Sequence, residues 1–140
     1  MNKSTRIHFF GFLTLTAALM LGAVRAEAAE VKELFAIDLP DYPGKEGRMI
    51  EVTYTPGDKD EVHRHDADAF IYVLEGEIVM QLKGKPPVNV KAGETFYEGP
   101  KDIHVVGRNA SSTKPARFVV VFLKAKGAPI LTPVQEDTNR

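Results

Sequence analysis

Apolar positions in this chain recur in short bursts, each cut off by Gly, Pro or Asp, and no segment keeps a 3.6-residue period long enough for a core helix. Val31 to Leu39 reads as an extended N-terminal arm, closed by Pro40 and the turn from Tyr42 to Gly47. Met49 to Thr55 alternates as a strand and stops at Pro56-Gly57. Phe70 to Leu74, rich in β-branched and aromatic residues, turns at Glu75-Gly76-Glu77 into Ile78 to Lys83. Gly84, Pro86 and Pro87 break that strand before Val88 to Val90. Ala92-Gly93 precedes Glu94 to Tyr97, and Gly99-Pro100 precedes Ile103 to Val106. Arg117 to Lys124 is the most hydrophobic run and is expected to be the most buried. Short strands at this spacing predict an all-β sandwich or small barrel. The tail from Lys126, with Pro129 and Pro133, is expected to pack loosely or fray.

The start of the chain follows different rules. Lys3 and Arg6 precede an apolar stretch from Phe9 to Val24, and Ala26-Glu27-Ala28 gives a small-x-small cleavage pattern. Residues 1–28 therefore read as an export signal, with an uncleaved anchor as the alternative that the shortness of the stretch disfavours. Cleavage leaves no stable membrane span and an exported protein, periplasmic or secreted. Of the 140 residues, 112 remain. The 18 basic side chains lose Lys3, Arg6 and Arg25, the 19 acidic ones lose Glu27, and the remaining 15 and 18 give a net charge of −3. Such a balance, with no basic stripe, excludes nucleic acid as the expected partner. The size suits one domain with one core. The absence of cysteine removes disulfides and thiolate ligands from the account. An exposed edge in so small a β domain invites pairing, so the arm is expected to cover an edge of a second copy in a homodimer.

Outside the leader, which holds His8, the histidines are His63, His65 and His104. Residues two apart on a strand face the same way, so His63 and His65 can enter one cavity. His104 follows its own Gly-Pro turn. Taken singly, His-x-His in a loop is surface decoration and His104 a hydrogen-bonded core residue. Together, on a β-rich chain, they point to one divalent transition metal. Imidazole nitrogen suits zinc, copper, iron or nickel, whereas calcium and magnesium want oxygen.

These residues resemble the cupin family, whose first motif runs G-x5-H-x-H-x(3,4)-E-x6-G and whose second runs G-x5-P-x-G-x2-H-x3-N. Gly57, His63, His65 and Gly76 fall in register with the first, and Gly93 and His104 with the second. The 16 residues between Gly76 and Gly93 match the short spacing of small bacterial members. The resemblance implies a double-stranded β-helix, or jelly-roll barrel, with one divalent metal (manganese now joining the candidates) held by His63, His65 and His104. The chain then divides into a signal peptide at 1–28, an arm at 29–47, the cupin barrel at 48–125 and a tail at 126–140.

Departures from the pattern shape the expected chemistry. Ala69 stands where the family's glutamate ligand belongs, and alanine has no donor. Histidines alone leave the ion's charge uncompensated, which raises its Lewis acidity and favours an anionic ligand. Asp68 reaches the vacant place only through a bulge or turn. Asp66, Glu61 and Glu98 read as solvated, or as orienting the far nitrogen of a ligand histidine. In the second motif Gly99, Lys101 and Arg108 replace proline, glycine and asparagine, with Pro100 and Asn109 each displaced by one place. Arg108 is a candidate to bind a substrate carboxylate, against a surface salt bridge. Tyr72 and Tyr97 are candidates to hydrogen-bond a substrate, against the plainer reading of a polar-tipped aromatic on each sheet.

Two functional readings follow. One is a metal-dependent enzyme acting on a small oxygen-rich molecule, either an oxidoreductase resembling the three-histidine dioxygenases or a Lewis-acid hydrolase or isomerase. The other is a module that captures or senses a metal or small ligand without turnover. No serine triad, phosphate-binding loop or nucleotide fingerprint is present.

Overall fold

The computed structural model describes residues 29–135; the expected export signal, and the end of the tail at 136–140, lie outside the described residues. Ten strands form two five-stranded antiparallel sheets. The first sheet has the order β1 (Glu30–Asp38), β2 (Lys45–Tyr54), β9 (Ala116–Ala125), β4 (Ala67–Glu75), β7 (Thr95–Glu98). The second has the order β10 (Thr132–Pro133), β3 (His63–Arg64), β8 (His104–Asn109), β5 (Glu77–Leu82), β6 (Val88–Lys91). No helix of the described residues is long and apolar enough to cross a membrane.

Period-two alternation decides the layers. In β9, Phe118, Val120 and Phe122 are buried while Arg117 and Leu123 are exposed. The same inward face collects Ile50, Val52 and Tyr54 from β2 and Ala69, Ile71 and Val73 from β4. Ile78, Met80 and Val90 of the second sheet close the core. Each large apolar side chain so buried contributes about 1.5–3 kcal/mol. Gly76 turns β4 into β5 at φ +74°, and a Cβ there would stand 2.7 Å from the Pro115 carbonyl, so the β4–β5 turn and the start of β9 meet only over a glycine.

The strands correct the sequence reading in three places. β2 begins at Lys45, ahead of Met49, because the turn around Gly44 (φ +78°) is tight and Leu39 bonds back to Lys45. β8 runs on to Asn109, which is buried where Arg108 faces out. The Asn109 side chain donates to the carbonyls of Thr55 (3.0 Å) and Lys114 (2.8 Å) and accepts from the Ser111 amide (2.9 Å). The described part of the tail is also docked: Thr132 and Pro133 pair with Arg64 and His63, and the Val134 amide donates to the Val62 carbonyl. Within the chain, the N-terminal arm is β1, paired to its own β2.

One charge pair sits inside the barrel end. Lys124, inward-facing on β9, donates to Glu46 at 2.6 Å and to the Ala125 carbonyl at 3.0 Å. That hydrogen bond holds the Glu46 carboxyl below its ordinary value of 4.5, against the opposing effect of burial. A carboxyl depressed in the folded state stabilises fully above its unfolded value and loses that contribution as pH falls further.

Two outcomes are expected from these contacts. Asn109→Ala leaves buried carbonyls unpaired and costs about 1–3 kcal/mol in urea unfolding; an unchanged midpoint would contradict its role as a clamp. Lys124→Met strands Glu46 and lowers the melting temperature, and adding Glu46→Leu restores part of the loss. The single variant should also lose the wild-type decline in stability below pH about 4.5, followed by thermal melts across pH.

Candidate metal centre

His63 and His104 are direct cross-strand partners in the β3–β8 pair, and His65 follows just past β3. Asp66, at φ +49°, then bends the chain toward β4. The rings meet edge to face, with centroids 4.7 Å apart for His63 and His65 and 4.9 Å for His63 and His104. One nitrogen from each of the three lies within 4.8 Å of the others.

Hydrogen bonding assigns the protons. A carbonyl can only accept, so the ring nitrogen facing one must carry hydrogen. His63 Nδ1 donates to the Glu61 carbonyl at 2.7 Å, His65 Nδ1 to the Ile130 carbonyl at 2.7 Å, and His104 Nε2 to the Val106 carbonyl at 2.6 Å. Each neutral ring then has one bare nitrogen: Nε2 of His63, Nε2 of His65 and Nδ1 of His104. The first two face each other at 3.2 Å, and the third is buried without a hydrogen-bond partner. Converging lone pairs repel one another unless a cation lies between them. Two donors each ~2.1 Å from one ion at a tetrahedral angle stand about 3.4 Å apart, so the His63–His65 spacing fits a shared ion. Burial pushes His65 and His104 each down to about 4, which keeps both neutral and ready to donate.

Two carboxyls complete the surroundings. Glu98, the last residue of β7, is 2% exposed; its Oε1 lies 3.5 Å from His104 Nδ1 and its Oε2 3.7 Å from His65 Nε2. Burial pushes its carboxyl up to about 7, with Asp102 and Asp60 adding to the shift. Asp60 is raised by burial and accepts a hydrogen bond from the Tyr54 hydroxyl, and the Tyr54 phenol is in turn pushed up by burial and by Asp60. The Asp60 amide bonds to the Gly107 carbonyl, and a Cβ on Gly107 would stand 2.7 Å from both Asp60 Oδ2 and His104 Cε1. Glycine is therefore what lets Asp60, β8 and the His104 ring pack together.

The His65 and His104 side of this group opens on a cavity of about 260 Å³ between the sheets. His65, His104, Glu98 and Asp60 supply its polar wall; Ile50, Val52, Ile71, Phe118, Val120 and Phe122 supply much of the rest. Ala29, Ile130 and Leu131 also line it, so both ends of the described chain reach the site.

The structure brings His63, His65 and His104 together and leaves the other expected site residues outside. Tyr72 and Tyr97 lie on the outer face of the first sheet, and the Tyr97 hydroxyl donates to Asp68 at 2.6 Å. They share a parity with Phe70, opposite to that of Ala69, Ile71 and Glu98. Asp68 has the same outward parity, because β4 pairs with β9 without a bulge from Ala67 to Val73. Arg108 points out of β8 and donates to the Asn109 carbonyl. Asp60 is not among the expected site residues, and Glu98, expected to be solvated or to orient the far nitrogen of a ligand histidine, is instead buried against the bare nitrogens of His65 and His104. For Glu98 the signal was there: two residues after Phe96, it shares that residue's inward face.

Comparison with known proteins agrees with this architecture. The sequence model of the cupin domain matches residues 50–122. No curated protein matches the chain. A conserved Klebsiella pneumoniae protein with a double-stranded β-helix domain superposes with TM-score 0.62 at 15% identity, covering 78% of this chain and 86% of that one. The DMSP lyase DddQ of Ruegeria pomeroyi gives 0.62 at 18% identity over 82% of this chain, which spans only 56% of the lyase. The polyketide cyclase RemF of Streptomyces resistomycificus gives 0.60 at 23% identity, covering 81% of this chain and 75% of the cyclase. At such identities the likeness concerns the fold. With its family match across the barrel strands and two facing antiparallel sheets, the chain belongs to the cupin family.

Proposed function

We propose that this chain is a metal-dependent cupin enzyme, holding one divalent transition metal through His63, His65 and His104 and acting on a small molecule with an oxygen-bearing head and an apolar body. The observation that carries the reading is three converging imidazole nitrogens, two of whose rings, His65 and His104, stand in the polar wall of an otherwise apolar cavity. Its volume of about 260 Å³ falls below the roughly 300–1,000 Å³ of drug-sized ligand sites, which favours a compact substrate. When bound, the ion supplies Lewis-acid polarisation of substrate oxygens and, if redox-active, electron transfer for dioxygenase-like cleavage. Of the chain's own residues, the aliphatic and aromatic walls exclude water from the reacting group. The hydrogen-bonded pair of Asp60 and Tyr54 offers a carboxyl beside the substrate's place, suited to hold or accept a proton.

The proposal includes an exported location, from the reading of residues 1–28, and a homodimer. Supporting the dimer is the outer face of the first sheet, where Phe35, Ile37, Phe70, Tyr72, Tyr97 and Leu123 are all exposed; a second copy is the occupant that would cover it. Light scattering of the purified protein tests this, and a monomer at micromolar concentration would remove the dimer from the reading.

Turnover is tested by metal analysis of the purified protein and then by oxygen uptake and product analysis with diketone, flavonol, sugar-acid and thiol-acid substrates. Stoichiometric metal is expected, lost in His63→Ala and His104→Ala. The compact apolar diketones should react ahead of the sugar acids. Ligand uptake without product in every case would replace the enzyme by a binding module.

A further inference from the structure

We infer that Glu98 is a fourth ligand of the metal, supplying from β7 the carboxylate that the motif pattern places on β4 at residue 69. The inference rests on the metal reading above and deepens it. Ala69 and Glu98 are direct partners in the antiparallel β4–β7 pair, and both side chains face inward. Directly opposed residues have Cβ atoms about 4.5–5.5 Å apart. A long side chain on either one can therefore reach the same point between the sheets. Glutamate on one strand needs a small residue on the other, and Ala69, fully buried, is that small residue.

The endpoint of the Glu98 side chain supports ligation in its own right. Its two oxygens stand 3.5 Å from the bare His104 Nδ1 and 3.7 Å from the bare His65 Nε2. In neutral rings neither of those nitrogens has a hydrogen to donate, and both separations are too long for a carboxyl O–H to donate to them, so no hydrogen bond explains the approach. His104 Nδ1 is buried with no hydrogen-bond partner, the facing Glu98 oxygen included. A buried acceptor set against two buried lone pairs is unfavourable by itself. A cation shared by all three turns that opposition into attraction. The first shell then becomes three histidines and one carboxylate, and one unit of the ion's charge is compensated within the protein.

The test measures metal affinity and the visible spectrum of the cobalt(II)-substituted protein, without reference to turnover. Glu98→Gln, nearly isosteric, is expected to weaken cobalt and zinc affinity by at least about 100-fold, beyond the 10–100-fold usual for outer groups, and to shift the cobalt bands. Glu98→Ala should behave the same way, and Ala69→Glu/Glu98→Ala should restore affinity and bands by returning the carboxylate from the opposite strand. Melting of the metal-free variants checks that the barrel is intact. Wild-type affinity and unshifted bands in Glu98→Gln would overturn the inference while leaving the histidine site standing. So would a loss of only about tenfold with unshifted bands, the behaviour of a positioning group. If the wild type itself takes up no metal, or His104→Ala takes it up equally well, the failure lies with the histidine site.

Discussion

The alternation of β9 is the constraint on which the rest of the barrel depends. Strand β9 hydrogen-bonds β2 on one side and β4 on the other, so its register assigns inward and outward parity to both neighbours at once. Phe118, Val120 and Phe122 face in, and Val52, Ile50, Val73, Ile71 and Ala69 must face in opposite them. A slip by one residue would send that whole set into water and bring Arg117 and Glu51 inside, so the pairing is strongly specified. The same parity runs on through β4 into β7, where it carries Phe96 and Glu98 to the interior.

The second sheet contributes the histidines, and its backbone does more than place them. Three carbonyls, from Glu61, Val106 and the tail residue Ile130, take the hydrogen of one imidazole each. That leaves the opposite nitrogens bare and aimed at one another in a setting too dry for imidazolium at His65 and His104. The arrangement exchanges local electrostatic comfort for a preformed set of donors, as is common where polar groups are held for function. The tail matters here because the Ile130 carbonyl sets the tautomer of His65 from 65 residues away.

Metal charge and cavity chemistry look different once Glu98 is counted. With three neutral imidazoles alone, an ion would carry its whole charge into an apolar cavity and draw an anionic substrate or hydroxide to itself. A carboxylate from β7 lowers that demand and leaves a milder Lewis acid. Asp60, on the loop that Gly107 allows to pack against His104, and Tyr54 at the end of β2 then remain as the cavity's own acid–base pair. The cavity is apolar in its walls and polar at one end, which under the proposed function favours an oxygen-bearing substrate with an apolar body.

Much of this was legible in the residues themselves. Period-two runs broken at Gly57, Gly76 and Gly93 specify strands and turns because alternation and positive φ are local properties of the chain. The spacing of His63 and His65, and the motif around His104, also survive without coordinates. What the sequence could not decide was parity and partnership across strands. Tyr72 and Tyr97 looked like cavity residues until pairing with β9 and β7 turned them outward. Glu98 became a site residue only because β7 lies beside β4 with Ala69 opposite. The tail looked loose because two short strands, β3 and β10, have too few residues to leave a pattern, and pairing between them is a long-range contact. The chain by itself determined a β barrel carrying three metal-seeking imidazoles. Tertiary packing alone decided which carboxylate faces them, since that depends on hydrogen bonds between strands far apart in sequence.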